Sequence, residues 1–562
     1  MTRRWLPAAV AVPAALLASG LTAGTPASAA RVHETHHASG PSGTLTISNE
    51  SGSLWTCNFN PYNPAVFQES AGFVYEPLVF VDSLENAKTT PWLASSYAWS
   101  DANKVLTFTM RKGVKWTNGT PLTAADVAFS FNLLKKFPAL DINAVWSVLD
   151  RVVQKGSDQV VLTFKTAAVP YFYYVADQVS IVPESIWSKI KNPVTYPDTS
   201  PVGSGPYTVK NCTGQNITYA ANTHYWQPGL PKIATLEYPA FTSNQPANTY
   251  LATGQAQWGG QFIPGIKAFY LSKSSSNHDW FPPVANVSLF INQKVAPLND
   301  LAVRQAMAYA INRSQVASIG EYGYEPAANQ TGIVTPTFSS WLDKAAAAQY
   351  GYGYDPKKSI SILEKDGYKR GPGGIFQKGG KSLSFTIINV GGNSDWVADL
   401  QIVQHELAAV GIKVTVDNLA GTDFDNDLYR GSFQLAFDNE TGGPSPYYEL
   451  RQLLYGPNTA PIGQLASTNY ERYSNPATDS LINAYAATTS VATADPRAEM
   501  SRSPLPVRFV SGSIATPRKP SPSAARSRIA GAFSPTPPVK TSTSRPSIAA
   551  AIAAIAARSR CR

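Results

Sequence analysis

Between residues 385 and 437 the hydrophobic pattern changes period several times. Phe385 to Ile388 is a short apolar run. Ser394 can cap a helix in which Val397, Leu400, Val403, Leu407 and Val410 recur at helical spacing, and Gly411 stands where a left-handed cap closes a helix. Ile412, Val414 and Val416 then alternate as a strand. Thr422 opens a short helix with an acidic start that stops at Gly431, and Phe433 to Phe437 forms another strand. Strand, helix, strand, helix, strand at such short spacing predicts an α/β layer with a largely parallel sheet.

Similar signals occur elsewhere. Asn299 or Asp300 can cap a helix whose Val303, Ala306, Met307, Ala310 and Ile311 make one apolar face. Leu106, Phe108 and Met110 alternate, Asn118-Gly119 marks a tight turn, and Thr123 with Asp126 heads a helix carrying Val127, Phe131 and Leu134. The pattern predicts an α/β or α+β body from about Gly43 to about Ala492, without internal repeats.

Composition changes the picture mainly at the ends. The 562 residues carry a formal charge of +9, which ordinarily points to an anionic partner. From Arg497 onward, however, twelve Lys or Arg face the single acid Glu499, and Arg3 and Arg4 add two more charges, leaving −4 for residues 31–496. A mildly acidic body removes the compositional case for nucleic-acid binding. Residues 1–30 read as an export signal: Arg3-Arg4, an apolar stretch from Leu6 to Leu21, and Ala27-Ser28-Ala29 as a cleavage site. Thr25 stands where a lipoprotein signal needs cysteine, so no lipid anchor is expected. Residues 31–42 read as a linker. Residues 486–562, rich in Ala, Pro, Ser and Arg, are too poor in periodic apolar positions to offset ordering entropy and are expected to be disordered. Export places the body where disulfides persist. A Cys57–Cys212 bridge is expected there, with two unpaired buried thiols as the alternative.

Specific strings carry a resemblance. Tyr75-Glu76-Pro77-Leu78-Val79, Pro91-Trp92-Leu93-Ala94, the run Leu106 to Val127, Gly203-Ser204-Gly205-Pro206-Tyr207, Val303-Arg304-Gln305-Ala306, Ala310-Ile311-Asn312-Arg313, Tyr354-Asp355-Pro356 and Gly411-Ile412-Lys413-Val414 occur in order. Together they resemble the extracellular solute-binding proteins of peptide/nickel-type ABC importers (family 5) over roughly residues 43–490. The resemblance implies a periplasmic-binding-protein-like two-lobe α/β fold of type II with an extra inserted domain. Carried onto this chain, lobe I is 43–75 plus 170–270, the insert 76–169 and lobe II 271–485. It further implies a monomer that captures an oligopeptide or similar extended solute and hands it to a permease with ATPase subunits, using no cofactor and doing no catalysis. The family's apolar, aromatic return to lobe I is replaced here by the basic tail, as if the reading frame shifts near residues 494–500. A genuine wall-associating tail is the alternative.

Candidate ligand contacts lie in irregular stretches, because binding residues concentrate on loops carried by a rigid scaffold. Three stretches qualify: Trp55, Asn58, Phe59 and Asn60 early in the chain; Trp258, Gln261 and Phe262; and Asp438, Asn439, Glu440 and Tyr447 beyond a strand's carboxyl end. Peptide binders of the family carry an Asp near this last stretch that pairs with the peptide α-amino group. Here Gly442 and Gly443 occupy that neighbourhood, leaving Asp438 or Glu440 as substitutes. An aromatic, amide-rich cleft also fits an oligosaccharide. Asp423, Asp425 and Asp427 resemble a calcium loop, but Leu428 and Gln434 fill the turn-glycine and bidentate-Glu positions, so a solvated helix start and no metal is expected. No G-x-S-x-G, H-E-x-x-H or Walker A string is present, and a secreted glycoside hydrolase is the weaker enzymatic alternative.

Overall fold

The computed structural model describes residues 40–487, except 51–52, 64–66, 71, 86, 282–284, 441 and 467, and adds the strand Phe509–Ser513. The expected export signal, most of the linker and nearly all of the tail lie outside the described residues.

The first sheet orders its strands as Trp258–Gly259, Thr44–Glu50, Thr235–Phe241, Asn216–Ala221 and Tyr207–Thr213. The first three run parallel and the rest antiparallel. Its strands alternate as half-buried strands should: Leu236, Tyr238 and Ala240 are buried between half-buried neighbours. A separate four-stranded antiparallel sheet, Ala94–Ser100, Val105–Met110, Gln159–Phe164 and Leu149–Lys155, carries the helix Ala124–Lys136. That helix starts where Asp126 Oδ2 accepts the Thr123 backbone N–H at 2.8 Å. This unit falls within the segment expected to be an insert.

The second large sheet orders Lys413–Leu419, Ser384–Val390, Leu435–Asn439, Asn286–Ile291 and Phe509–Ser513. Lys413–Leu419, Ser384–Val390 and Leu435–Asn439 are parallel to one another, and Asn286–Ile291 runs antiparallel. Its core joins Leu289, Ile387, Leu435 and Phe437 to the helix residues Leu400, Val403 and Leu407 and to Val303 and Met307. The helix spans Ser394–Ala409, and Gly411 follows it at φ 85°. Asp300 Oδ1 caps the helix Leu301–Ala310 by accepting from Ala302 N.

The pattern misplaced two features. The strand expected at Phe433–Phe437 begins two residues later, because Phe433 belongs to the turn after left-handed Gly431 and Leu435 is the first residue in register with Ile387. Helices Pro446–Leu454 and Pro476–Ala486 share a core with Tyr171 and Val175 of the first body and with Phe290, Ile388 and Ala436 of the second. Tyr448 donates to Pro170 O and Arg451 Nε to Tyr171 Oη, which ties them to the first body. Within the tail expected to be disordered, Phe509–Ser513 pairs antiparallel with Asn286–Leu289.

Gly203 and Gly205 mark a close backbone crossing. A Cβ on Gly203 would lie 1.9 Å from Val74 O, and one on Gly205 would lie 2.3 Å from Phe73 O. Gly205 N donates to Val74 O and Tyr207 N to Phe73 O, so the segments cannot separate without losing both bonds. Gly203→Ala is expected to cost about 2–3 kcal/mol or more through enforced overpacking. A urea midpoint within error of the parent chain would disprove this.

Several carboxyls are folded into the first body without a cation. Glu76, 3 % exposed, accepts from Trp92 Nε1 and Tyr225 Oη on one oxygen and from Trp226 Nε1 on the other. Burial pushes Glu76 and Asp177 up to about 7 and Asp198 to about 6. Each group binds its proton more tightly folded than unfolded. Its stabilising share is therefore complete below the unfolded value near 4 and is lost as pH rises through 6–7. Global stability is expected to fall between pH 5 and pH 8, by at most about 1.4 kcal/mol per pH unit for each group titrating. Urea midpoints that stay level or rise over that interval would contradict the assignment.

Candidate functional site

Both large sheets turn the carboxyl ends of their parallel strands toward the same seam. On the first body, Gly260, Gln261 and Phe262 follow the strand Trp258–Gly259, and the helix Asn244–Ala252 follows Thr235–Phe241. On the second body, Gly391–Gly392, Ala420 and Asn439–Glu440 end the strands. The two edges touch where Asn244 N donates to Gly392 O at 3.1 Å and Asn244 Nδ2 donates to Asp395 Oδ1 at 3.1 Å. Ligands of open α/β sheets bind beyond such carboxyl ends.

The strand Leu435–Asn439 alternates its faces. Leu435 and Phe437 enter the helix-packed core, while Ala436 and Asp438 point the other way. Ser288 stands opposite Asp438 in register. Glu440, two residues on, is 2 % exposed. Its Oε1 accepts from Ser288 Oγ at 2.5 Å, and its Oε2 has no hydrogen-bond partner among the described residues. Half-buried Asp438 is pushed up to about 8, first by desolvation and then by repulsion from Asp425. Asp425, on the helix Gly421–Arg430, is itself raised to about 6 by burial. Among the described residues none of these three acids has a Lys or Arg within 4 Å; the ion pairs found involve only Lys88 and Lys378. Desolvated carboxylates without counter-ions favour a cation placed between them.

The opposite edge offers neutral groups. Gln261 is 8 % exposed, and neither Oε1 nor Nε2 has a protein partner. Asn389, fully buried on the second body, gives Nδ2 to Asn418 Oδ1 and leaves its own Oδ1 unmatched. Buried amides are normally satisfied, so these atoms, unmatched among the described residues, are open to a solute or water. Phe262 adds an aromatic rim with Tyr322 and Tyr324, ring centroids 6.0 and 5.7 Å away. Behind it, buried Asp399 hydrogen-bonds Glu321. Burial and the facing carboxyl push Asp399 up, so the pair retains a proton at neutral pH.

The residues expected at the site divide accordingly. Asp438, Asn439 and Glu440 lie together on one edge, and Gln261 and Phe262, with half-buried Trp258 beside them, lie on the other. Trp55 instead packs on Tyr238 and donates Nε1 to Tyr238 O at 2.7 Å. Phe59 is fully buried, and Asn60 spends Nδ2 on Pro193 O and Tyr196 O. Asn58 turns back to accept from Asn60 N. Tyr447 sits among Tyr171, Tyr448 and Tyr485. Trp55, Phe59 and Asn60 are engaged within the first body, whereas Tyr447 packs in the tyrosine cluster with its hydroxyl unmatched among the described residues. Cys57 and Cys212 are joined by a disulfide across 155 residues. Asp425, read as part of a solvated helix start, faces Asp438. Its place between buried Phe424 and Leu428 was the sequence signal for that face. Among the described residues no cluster of His, Cys, Asp and Glu is arranged to hold a metal ion, and no helix is long and apolar enough to cross a membrane.

Comparison with known proteins fits this geometry. The family model described as Bacterial extracellular solute-binding proteins, family 5 Middle, matches residues 88–461. The chain is 26% identical over 420 residues to the nickel-binding periplasmic protein of Escherichia coli (strain K12), covering 70% of this chain and 76% of that one. It is 28% identical over 380 residues to the glutathione-binding protein of the same strain, covering 65% and 68%. A mannohexaose-bound periplasmic oligopeptide-binding protein of an ABC transporter from Thermotoga maritima aligns with a TM-score of 0.78 at 27% identity, covering 84% of this chain and 90% of that one. The oligopeptide-binding protein AppA from Bacillus subtilis, in complex with a nonapeptide, shares the fold at a TM-score of 0.70 and 21% identity, covering 82% and 90%.

Proposed function

The chain belongs to the bacterial extracellular solute-binding proteins of family 5, and on that footing we propose that it captures an oligopeptide or similar extended solute outside the membrane and delivers it to an ABC permease. The observation that carries the peptide reading is the set of Asp425, Asp438 and Glu440, uncompensated by any cation at the carboxyl end of the second sheet. A peptide α-ammonium between them would neutralise carboxylates that the fold has already desolvated. Gln261 and Asn389 would take up backbone amides of the solute, and Phe262 with Trp258 would cover its side chains. Binding and release then need only relative movement of the two bodies about the Asn244–Gly392 contact, without covalent chemistry.

A pH titration separates this reading from its rival. Asp438 attracts an ammonium only in its ionised form, so peptide affinity should climb as pH rises from 6 toward 8, where Asp438 ionises. It should fall again above about 8 as the α-amino group loses its proton. The rival is an oligosaccharide ligand, favoured by the mannohexaose-bound relative and by the Phe262–Tyr322–Tyr324 rim. Calorimetric titration with tri- to pentapeptide pools and with manno-oligosaccharides decides between them. Tight, pH-independent binding of sugars alone would reject the peptide assignment, and turnover of either pool would reject the binding-protein class.

A further inference from the structure

Away from the cleft, the four-stranded unit and the first body line an open surface pocket of about 570 Å³. It is bounded by the end of the strand Lys88–Pro91, by Arg111 and Lys112, and by the turn around Trp226. That volume is in the range of small-molecule sites. Trp92 and Trp226 meet almost at right angles, 88° with centroids 5.8 Å apart, and form a corner. Both indole N–H groups donate to Glu76 behind them, so the corner is set before any ligand arrives and costs little ordering entropy to use. The Arg111 guanidinium lies 4.4 Å over the Trp226 ring. Its Nε and Nη2 donate to Trp92 O and Pro91 O, while Nη1 makes no protein hydrogen bond among the described residues. Lys112 is exposed, and neither cation has a carboxylate within 4 Å.

We propose that this pocket is a second binding site, for a carboxylated sugar ring such as a uronic acid unit of an acidic glycan. The indole corner and Leu230 suit the apolar face of a pyranose, and Thr90 and Gln227 offer hydrogen bonds to its hydroxyls. Arg111 and Lys112 then receive the carboxylate. The Glu76 tie by itself accounts for the seam between the two units. It does not account for exposed Lys112 and the free Nη1 edge of Arg111, neither with a carboxylate within 4 Å among the described residues, facing the pocket on a body whose net charge is negative. No lining residue belongs to the cleft, so this site stands or falls independently of the peptide reading.

The test is tryptophan fluorescence and calorimetry on the full chain with trigalacturonate, neutral trigalactose and benzoate. Saturable binding of trigalacturonate is expected, at least tenfold tighter than trigalactose or benzoate and weakened by added salt. Lys112→Glu, at an exposed side chain without a protein partner, should weaken it at least tenfold and leave peptide binding unchanged. Asp438→Asn should leave it unchanged. Absence of saturable trigalacturonate binding, equal binding of trigalactose, tighter binding of benzoate, or loss in Asp438→Asn but not in Lys112→Glu would each overturn the proposal.

Discussion

Replacing Asp438 by asparagine is expected to lower oligopeptide affinity thirty- to a thousandfold, about 2–4 kcal/mol, while leaving the fold intact. Losing one partner of a desolvated ion pair costs about 2–5 kcal/mol, since the remaining charge is then buried alone. Here the remaining charge would be the peptide α-ammonium. The substitution nearly preserves volume, and among the described residues the Asp438 side chain accepts only from its neighbour's backbone, Asn439 N, which an amide oxygen can still do. Glu440→Gln should weaken binding less, because Glu440 Oε1 already accepts the Ser288 hydroxyl. An N-acetylated peptide should lose as much affinity for the parent chain as the free peptide loses for Asp438→Asn, and the two losses should not add. Calorimetry of the four combinations measures this. Additive losses, or an affinity within threefold of the parent, would remove Asp438 from the ammonium site.

Removing the Cys57–Cys212 bridge is expected to be the most damaging change to stability. The bridge closes 155 residues, a span that includes the whole four-stranded inserted unit. On chain-entropy grounds a loop of that order restrains the unfolded state by about 4–5 kcal/mol. Nearby backbone contacts are too few to replace it: Trp55 N donates to Gly214 O, and Cys212 pairs with Ile217 in its hairpin. Cys57→Ala with Cys212→Ala should therefore shift the urea midpoint sharply, and reduction of the parent chain should reproduce the shift. A loss below about 1 kcal/mol would mean that the unfolded chain is already compact around this loop.

The placement of the site shows how far sequence reading reaches. The helix 394–409 and the strands around it were legible because one face of each is buried, and burial writes its period into the sequence. Asp438 and Glu440 were read as acids beyond a strand's carboxyl end; Asp438 lies within the strand Leu435–Asn439 and Glu440 follows it. The segment Trp55 to Asn60 had the same aromatic and amide content as a ligand rim, yet it packs inward on Tyr238 and the 193–196 turn. Composition cannot tell a loop that faces solute from one that faces core, because both need rings and amides. Tyr447 likewise packs its ring into a tyrosine cluster around Arg451, a neighbourhood that composition does not reveal. Asp425 was passed over because its neighbours Asp423 and Asp427 suggested a uniformly solvated turn. Only the packing of Phe424 and Leu428 rotates it toward Asp438.

By itself the sequence determined the α/β character, the acidic charge of the body and, through its ordered strings, membership of a family whose model covers residues 88–461. These are local or additive properties: periodicity, charge and motif order are carried by neighbouring residues and survive without knowledge of what lies across the fold. The tertiary structure decided that helices 446–454 and 476–486 pack on Tyr171 and Val175, that residues 509–513 extend the second sheet, and which acids have no Lys or Arg within 4 Å among the described residues. Those outcomes depend on contacts between residues far apart in the chain, such as Asn244 with Asp395 or Tyr448 with Pro170. Whether a carboxylate is desolvated or solvated is fixed by what packs over it, and that is not written in its own segment.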